Sequence, residues 1–567
     1  MILPYRRRIL KRIVLGALIC LTIGVYFLTL RENALSADTY FHLGRIKELR
    51  YAFAHLELPN FLNFQSFFGM GQAVNAMYPD ITLWPFVLLT MGFTPAHQVV
   101  AIKLLIFILT LMVSYYCLCR RAIPSDISLY SAIVLTFFAG NMEIANMFTP
   151  GTSIIGIFLL PIAFTIKDIL SSRQFDKRLI IKFGLIIILI TYSHLLTIVI
   201  LAFIMFGILV MNIITGRFSI YAIVNVVVGG VIGLMGSAPI IYRYLLFSKN
   251  GIVMPYRLGN ITTLFKFPYI SKVYLLSIVI ACSLPCLYLQ KAKAKSCYWH
   301  LLIIEAYIYL LCSSFFPWRL FNNVPVVNCL QFSNRFQTYL CVIPVIILAQ
   351  FTKKHYKLGI SVAFLLIIIW LGQATQNYIS YTGPVITDRS YESVGRVTGN
   401  LSKEDLRINA PAGKPMYYYD YYPSSMPNTY RATWQMSAQG RKTILDQQIK
   451  GSDDAVRINK QSINNGIQIK PKQDVYSDRS LILPVLGYRG LKYQTFVNGH
   501  RVGNHLDKMN LAIDAHTLKR SDKVVVIFKN PPIYSWIVVA ALMYDLLLLV
   551  YLKFTSSKTL LLEGKDY

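Results

Sequence analysis

The feature that most limits how this chain can fold is a series of apolar stretches, each about as long as a bilayer-crossing helix. About a dozen of them fill most of residues 1–376 and the start of residues 533–567. Of the 567 residues, 55% are hydrophobic and only 14% are charged, which excludes a disordered or ordinary soluble protein. The sequence therefore predicts a polytopic α-helical membrane protein.

The positions of Lys and Arg predict how the apolar stretches are oriented. Five basic residues lie at the start of the first apolar run, residues 9–30, which places the N-terminus in the cytoplasm. A cleavable signal peptide is the alternative interpretation of this run. The later basic clusters then fall in inside loops, so the net charge of +30 indicates membrane topology and gives no support for a nucleic-acid partner.

Two choices give a consistent count of about twelve crossings with both ends cytoplasmic. The short segment 81–93, which contains Pro85, is interpreted as a re-entrant or interfacial helix, so that residues 31–96 form a long first external loop. The apolar run 179–214 is too long for one span and is divided at Ser193-His194. After the first run, the predicted crossings are 96–119, 127–146, 152–170, 179–193, 195–214, 219–241, 271–290, 299–316, 336–351, 356–376 and 533–552.

One polar module, residues 377–532, interrupts the apolar series and is predicted to lie outside the cell. It contains three short alternating stretches typical of strands, 466–470, 492–497 and 523–528, and Asn498-Gly499 predicts a two-residue hairpin turn. The even spacing of strands and turns favours a β-sandwich. A tyrosine cluster at 417–422 predicts either a stacking platform for sugars or a half-buried aromatic strand. The predicted domains are thus 1–376, 377–532 and 533–567, the last being a final helix with a cytoplasmic tail.

The first external loop carries the clearest candidates for chemistry. Apolar residues recur at helical spacing over residues 38–58, while Asp38, His42 and Arg45 fall at i, i+4 and i+7 on another face. We expect a helix on the membrane surface, in which Asp38 acts as a general base on an acceptor hydroxyl and His42 orients it or shares the proton. The alternative is an aspartate interacting with the helix dipole and a solvated histidine.

Other ionisable residues form a second group of candidates. Asp80 begins the segment 81–93, where an aspartate is also a common helix cap. A divalent cation between Asp38 and Asp80 is chemically reasonable, since hard cations prefer oxygen ligands, but the spacing does not require one. Ionisable residues within or beside predicted spans are Lys103, Glu143, His194, Glu305 and Asp545. Glu143 and His194 lie near the outer surface, whereas helix-to-helix hydrogen bonds explain Glu305 and Asp545 equally well.

Four external arginines are placed to meet an anionic lipid headgroup. They are Arg243, Arg257, Arg319 and Arg335. A guanidinium group makes bidentate contacts to phosphate, which makes arginine suited to a lipid-linked phosphate substrate. Anchoring of the chain at the phospholipid interface is the alternative for each of them.

The same residues resemble the first-loop signature of a bacterial multipass family. The resemblance is carried by the run from Asp38 through His42 to Arg45, by 59–64 and 69–71, and by Tyr78-Pro79-Asp80. Short later blocks at 193–194, 316–318 and 331–336, and a β module followed by one last span, are similar to the same family. The family is that of the 6-pyruvoyl-tetrahydropterin synthase-related, or YfhO-like, membrane proteins.

The resemblance implies a fold like that of the GT-C glycosyltransferases, which transfer sugars from polyprenyl-phosphate donors on the outer face of the membrane. It places Asp38 at the acidic residue of their first external loop. The chain departs from the family at 146–152, where relatives often have an arginine and a Gly-Glu pair.

These observations predict an inverting glycosyltransferase in a bacterial plasma membrane. The expected donor is a polyprenyl-phosphate-linked sugar, and the expected acceptor is a cell-envelope glycan or lipid. Asp38, His42 and Asp80 are the predicted catalytic residues, and Arg319, Arg335, His194 and Arg257 are predicted to bind the lipid phosphate or substrate. The alternatives are a lipid or polysaccharide transporter that uses Glu305 and Asp545, and a non-catalytic scaffold for envelope assembly.

Overall fold

The computed structural model shows a helical domain with a β domain docked on it. It describes residues 16–24, 26–27, 37–139, 149–248, 251–253, 276–282, 292–313, 315–321, 324, 327, 330, 333–380, 420–430, 437, 439, 447–452 and 454–563. The helices are α1 (Ala37–Ala54), α2 (Val74–Met77), α3 (Trp84–Leu89), α4 (Pro95–Arg120), α5 (Ser125–Ala139), α6 (Pro150–Ile157), α7 (Leu159–Leu170), α8 (Lys177–Ser193), α9 (Leu196–Ile214), α10 (Ile220–Gly236), α11 (Ala238–Ser248), α12 (Ala292–Leu311), α13 (Val342–Lys354), α14 (Tyr356–Ser380) and α15 (Pro532–Glu563).

Several of these helices are suited to a membrane. Within the described residues, five are long and apolar enough to cross a bilayer, and the number rises to seven if each of two bent helix pairs counts as one span. These five candidate spans are Pro95–Arg120, Leu196–Ile214, Arg335–Lys354, Tyr356–Gln373 and Pro532–Thr555. The predicted combination of an apolar helical domain with a β domain is therefore present. The count of twelve crossings and their orientation stay predictions.

The division of the apolar run 179–214 is confirmed as a break between helices, and segment 81–93 is too short to cross a bilayer as a helix. Segment 81–93 forms only a 3₁₀ turn, Ile81–Leu83, and the short helix α3. The long apolar run divides into α8 and α9, and His194, which lies between them, has extended backbone angles of φ −160° and ψ 95°. A buried histidine thus stands at the break.

Two predicted spans are bent instead of straight. Helices α6 and α7 meet at 62°, and Pro161 explains the bend, because its ring displaces the carbonyl of Ile157 and it has no N–H to donate. Helices α10 and α11 meet at 73° at Ser237, whose hydroxyl donates to Gly233 O. Close to the second bend, Tyr192 donates to Gly236 O at 2.5 Å.

The β domain is a nine-stranded antiparallel sheet that nearly closes on itself. Its order is β7-β6-β11-β3-β2-β1-β5-β9-β8, and a separate two-stranded sheet pairs β10 with β4. The strands are β1 (Gln448–Lys450), β2 (Ala455–Ile463), β3 (Gly466–Pro471), β4 (Val475–Tyr476), β5 (Leu481–Leu486), β6 (Tyr493–Val497), β7 (His500–Val502), β8 (Asn504–Asp507), β9 (Asn510–Ile513), β10 (Thr517–Leu518) and β11 (Val524–Phe528).

The predicted strands and hairpin of this domain are confirmed. The three alternating stretches of the sequence are β3, β6 and β11, which are neighbours in the sheet. Asn498 and Gly499 join β6 to β7 with φ angles of 51° and 86°. A two-residue turn with both φ angles positive matches the twist of the strands, and glycine and asparagine adopt it most easily.

The β domain shares one hydrophobic core with the first loop. Phe61, Phe64 and Met70 of the loop are buried in the same cluster as Leu486 of β5 and Val526 of β11. Backbone bonds join the two parts directly, since Leu486 N donates to Met70 O at 2.7 Å. Residues 59–77 therefore pack as part of the β domain although about 380 residues separate them from its first strand.

The tyrosine cluster takes neither of its two predicted forms where the structure describes it. Tyr421 and Tyr422 are buried, with 6% and 1% of their surfaces exposed, in the core shared by the loop and the sheet. They lie in a turn, and the described residues of the cluster form no strand. Buried rings cannot stack on a sugar that arrives from solvent, so a platform at these two residues is excluded. Residues 417–419 lie outside the described part of the chain.

Candidate functional site

Helix α1 is buried on two faces, so its polar residues His42 and Arg45 are buried and not exposed to solvent. Leu43, Ile46 and Leu49 are at most 1% exposed and pack on α3 and α4, as their spacing predicts. His42 and Arg45 on the other face are also buried, at 3% and 1% exposure. The interpretation of His42 as a solvated residue is therefore wrong. The 61–80 segment covers this face, with Pro79 and Tyr78 in contact with Arg45.

The contact between His42 and Arg45 fixes the state of the imidazole. Arg45 Nη1 lies 3.0 Å from His42 Nδ1, and a guanidinium group can only donate. His42 Nδ1 therefore accepts, and the ring proton is on Nε2. Burial, followed by the charge of Arg45, holds the pKa of His42 well below its usual value. His42 is thus a neutral imidazole that can donate a hydrogen bond from Nε2.

Arg45 is a buried cation without a carboxylate partner among the described residues. Its Nη2 donates to Pro79 O, and its guanidinium carbon lies 4.2 Å from the ring centre of Tyr78. Its Nε is buried and has no hydrogen-bond partner in the described part of the chain. Burial lowers the pKa of Arg45, but arginine stays protonated in proteins. The positive charge is therefore held here by dipoles, by a ring face and by the nearby charge of Asp80.

Asp80 forms a buried ion pair with Arg243. Arg243 Nη1 lies 2.6 Å from Asp80 Oδ1, and the two side chains are 1% and 0% exposed. Trp84 donates to the second carboxylate oxygen at 3.0 Å, and Arg243 Nε donates to Tyr534 Oη at 2.6 Å. The pair joins the first loop, α11 and the start of α15. Arg243 is therefore not exposed to lipid headgroups, contrary to the sequence prediction. It lies inside the protein, where it pairs with a carboxylate 163 residues away in the sequence.

His194 lies next to this group at the break between α8 and α9. Its Nδ1 is 3.1 Å from Thr197 Oγ1, and its ring centre is 6.4 Å from that of Tyr78. Burial, helped by the charges of Arg335 and Arg45, lowers the pKa of His194 to about 3. The close approach of α6 helps to set this geometry, since a Cβ atom on Gly151 would lie 2.6 Å from Ser193 O.

The structure thus brings together some of the predicted site residues and leaves others undecided. His42, Asp80 and His194 lie in one buried group with Arg45 and Arg243, and Arg335 is close enough to act on His194. The backbone of Asp38 lies in the first turn of α1, four residues before His42, and that of Arg319 lies in the 3₁₀ helix Trp318–Phe321. The side chains of Asp38 and Arg319, and the whole of Arg257 and Glu143, lie outside the described part of the structure.

Two buried residues that sequence analysis did not identify hold the loop that covers the site. Glu48 Oε1 accepts from Gln65 N, Ser66 N and Ser66 Oγ at 2.7 to 2.8 Å. From the opposite side, Lys460 of β2 donates to Phe68 O. Burial raises the pKa of Glu48 to about 7 and lowers that of Lys460 to about 7. The only sequence signal for Glu48 is its place on the same helical face as His42 and Arg45.

The clamped loop has an unusual backbone. Phe67, Phe68 and Gly69 have φ angles of 49°, 61° and 60°, and two of these residues carry a Cβ atom. Phe67 lies against α1 where a Cβ atom on Gly44 would approach its ring to 2.8 Å. Glu48 and Lys460 hold this left-handed stretch in place over the helix by hydrogen bonds. Gly44 leaves the space that the ring of Phe67 occupies against α1.

A divalent cation finds few ligands in this group. Both carboxylate oxygens of Asp80 already accept hydrogen bonds, from Arg243 and Trp84. In the described residues there is no cluster of three or more His, Cys, Asp or Glu that could hold a metal ion. The side chain of Asp38, the other predicted ligand of a cation, lies outside the described residues.

Compared with known families and curated proteins, the chain matches no family model and no curated sequence. The family resemblance of the first loop therefore stays a prediction. The function is best argued from the charges and contacts of the buried group.

Proposed function

We propose that the chain is a membrane glycosyltransferase of the GT-C kind that uses a polyprenyl-phosphate-linked sugar. The buried group around His42 is its phosphate site, and a cell-envelope glycan or lipid is its acceptor. In this proposal the chain crosses a bacterial plasma membrane about twelve times, with both ends in the cytoplasm and the β domain outside.

The charge of the buried group carries this proposal. Arg45 and Arg243 are each 1% exposed, and Asp80 is the one described carboxylate that pairs with either of them. Arg335 adds a third positive charge close to His194. A buried charge is costly without a counter-charge, and phosphate is the anion that guanidinium groups bind best. An anionic ligand would therefore balance the charge of Arg45, which has no carboxylate ion-pair partner among the described residues.

The neutral histidines fit the same ligand. With Arg45 at its Nδ1, the neutral ring of His42 carries its proton on Nε2. Both imidazoles are kept neutral by burial and by nearby arginines, so neither adds a positive charge that would have to be balanced in the buried group. Asp80 acts in this scheme as a positioning residue, because it fixes Arg243 and, through Pro79, the segment that holds Arg45.

In the proposed reaction, one residue takes the proton of the acceptor hydroxyl, and other residues stabilise the departing polyprenyl phosphate. The acceptor oxygen attacks C1 of the sugar from the face opposite the phosphate, and its proton passes to Asp38. The C1–O bond to phosphate breaks, and both electrons leave with the polyprenyl phosphate. Arg335 and Arg319 stabilise the charge on the departing phosphate. Arg257 is assigned to substrate binding by its place in an external loop.

The β domain is suited to hold the acceptor near the site. It shares a core with the loop that covers His42 and Arg45, and its contacts with that loop include Asn60 Nδ2 to Phe528 O at 2.7 Å and Ala73 N to Tyr488 Oη at 3.0 Å. Movement of an acceptor bound on the sheet would therefore be transmitted to the loop.

Transfer of a labelled sugar from a polyprenyl-phosphate donor by the purified chain in nanodiscs tests the proposal. We expect transfer with wild type, at least 100-fold less with Asp38→Asn, and the same rate as wild type with the exposed control Lys508→Gln. Transfer by Asp38→Asn at the wild-type rate would contradict the role of Asp38. An absence of transfer from every polyprenyl donor would contradict the function.

A transporter is the second candidate, and the two bent helix pairs favour it. Discontinuous helices near a buried carboxylate often form ion or proton sites in transporters. Asp545 of α15 lies against the bend at Gly236, where a Cβ atom would come within 2.4 Å of its Oδ1. In the described part of the chain neither carboxylate oxygen of Glu305 has a partner. Lipid flipping by wild type that is lost in Glu305→Gln and Asp545→Asn variants, together with no sugar transfer by wild type, would favour transport.

The third candidate, a non-catalytic scaffold, predicts a different cellular result. Deletion of the β domain would then abolish the phenotype, whereas Asp38→Ala would leave it unchanged. The docking of the sheet on the first loop is the observation that supports a scaffold function.

A further inference from the structure

A basic cavity lies at the opposite end of α8 from the His194 site. It has a volume of about 560 Å³, opens to the surface, and is lined by residues between the end of α7 and the first turns of α8. Three cationic side chains line it: Arg173, Arg178 and Lys182. Neither the family resemblance nor the proposed glycosyl transfer assigns a role to it.

The two acidic residues of the cavity are already engaged. Asp168 forms an ion pair with Arg121, whose Nη1 lies 3.3 Å from its Oδ1. Asp176 caps α8 by accepting from Leu179 N at 2.9 Å. Three cations and two carboxylates line the cavity, and Arg121 lies beside it, so the formal charge of these described residues sums to +2.

Amide side chains from neighbouring helices hold the backbone beside the cavity. Asn225 of α10 is 0% exposed and donates to Ser172 Oγ and to Gln174 O, both at 2.9 Å. Asn212 of α9 donates to Leu170 O at 2.9 Å. The backbone of residues 170–174 is thus tied to α9 and α10, so the segment that carries Arg173 does not have to be ordered by a ligand alone. Such preorganisation lowers the entropic cost of binding.

The position of the cavity indicates where its ligand comes from. Helix α8 has 17 residues, so its ends lie roughly 25 Å apart. That length approaches the ~30 Å thickness of a bilayer hydrocarbon core. When His194 lies at the outer leaflet, the cavity lies at the headgroup level of the inner leaflet. Leu179 gives the cavity an apolar side next to its cations.

We propose that this cavity binds the phosphate group of an anionic phospholipid of the inner leaflet. Phosphate matches the excess charge of the cavity, and the headgroup reaches it from the adjoining leaflet. The proposal needs the chain to span a membrane, but it does not depend on glycosyl transfer.

Native mass spectrometry of delipidated protein, titrated with phosphatidylglycerol or phosphatidylcholine, tests the site. The test variant is Arg173→Gln/Lys182→Gln. The matched control, Lys354→Gln/Lys357→Gln, removes two exposed cations at the α13–α14 turn. Wild type and control are expected to bind phosphatidylglycerol, whereas the test variant binds it about tenfold more weakly or worse, and phosphatidylcholine binding is weak throughout.

Inorganic phosphate and glycerol phosphate, titrated separately, distinguish the source of the anion. Binding of these soluble anions that is lost in the test variant would support a phosphate site that takes soluble ligands. Equal phosphatidylglycerol binding by test variant and control, at equal melting temperatures, would overturn the proposal and leave only diffuse attraction by basic loops. Sugar transfer measured in the same test variant separates this result from the proposed function.

Discussion

Replacing Glu48 by Gln is expected to stabilise the protein in a pH-dependent way. Glu48 is 7% exposed, and three donors from residues 65 and 66 converge on its Oε1. Glutamine can present the same carbonyl oxygen to these donors without a charge. The substitution therefore tests the burial of the charge separately from the hydrogen bonds.

The magnitude follows from the raised pKa of Glu48. Its pKa is about 7 in the folded protein, against an ordinary value of 4.5. The folded state therefore holds its proton more tightly, and the free energy of unfolding falls as the pH rises from 4.5 to 7. At about 1.4 kcal/mol for each pKa unit, the loss is about 1 kcal/mol at pH 5 and about 3 kcal/mol at pH 8.

Unfolding in one detergent at pH 5 and pH 8 measures this effect. We expect Glu48→Gln to exceed wild type in stability by about 3 kcal/mol at pH 8 and by about 1 kcal/mol at pH 5. The control is Gln65→Ala, which removes the bond from Gln65 Nε2 to Ile463 O in the same interface without changing an ionisable group. A Glu48→Gln advantage that is equal at the two pH values, or absent at pH 8, would refute the reasoning.

Three further predictions concern the same assembly. Asp80→Asn should cost about 3–5 kcal/mol, because it leaves Arg243 buried without a counter-charge, and the double variant Asp80→Asn/Arg243→Met should recover much of that loss in the same unfolding assay. Gly151→Ala should lose about 1–3 kcal/mol, since its Cβ would lie 2.6 Å from Ser193 O, whereas the control Gly156→Ala, whose nearest neighbour is 3.9 Å away, should lose little. Because the pKa of Lys460 is lowered to about 7, its burial opposes folding most below pH 7 and progressively less toward pH 10.5, so Lys460→Met should stabilise the protein more at pH 6 than at pH 9; an equal effect at both would contradict this.

Local patterns in the sequence predicted local structure well. The spacing of Leu43, Ile46 and Leu49 predicted both the helix α1 and its buried face. Asn498-Gly499 predicted the hairpin between β6 and β7, and the length of the 179–214 run predicted the break beside His194. Each of these features depends on residues that are neighbours along the chain, so the order of residue types in the sequence is enough to predict it.

Features set by distant contacts could not be predicted in the same way. Periodicity showed that Arg45 lies on a polar face of α1, but not that the 61–80 segment covers that face. The sequence placed Arg243 at the lipid interface. Its partner Asp80 lies 163 residues earlier, and no local pattern shows that the two residues meet. The docking of the β domain on residues 59–77 likewise buried Tyr421 and Tyr422, which the sequence had placed on an accessible surface or strand.

Binding of undecaprenyl phosphate to the nanodisc-embedded chain tests the central claim most directly. The proposal predicts saturable binding by wild type and by Asp38→Asn, with binding by Arg335→Ala weakened about tenfold or more. Lys508→Gln serves as the control for a change in charge elsewhere. No binding by wild type, or equal binding by wild type and Arg335→Ala, would contradict a polyprenyl-phosphate site beside His42 and His194.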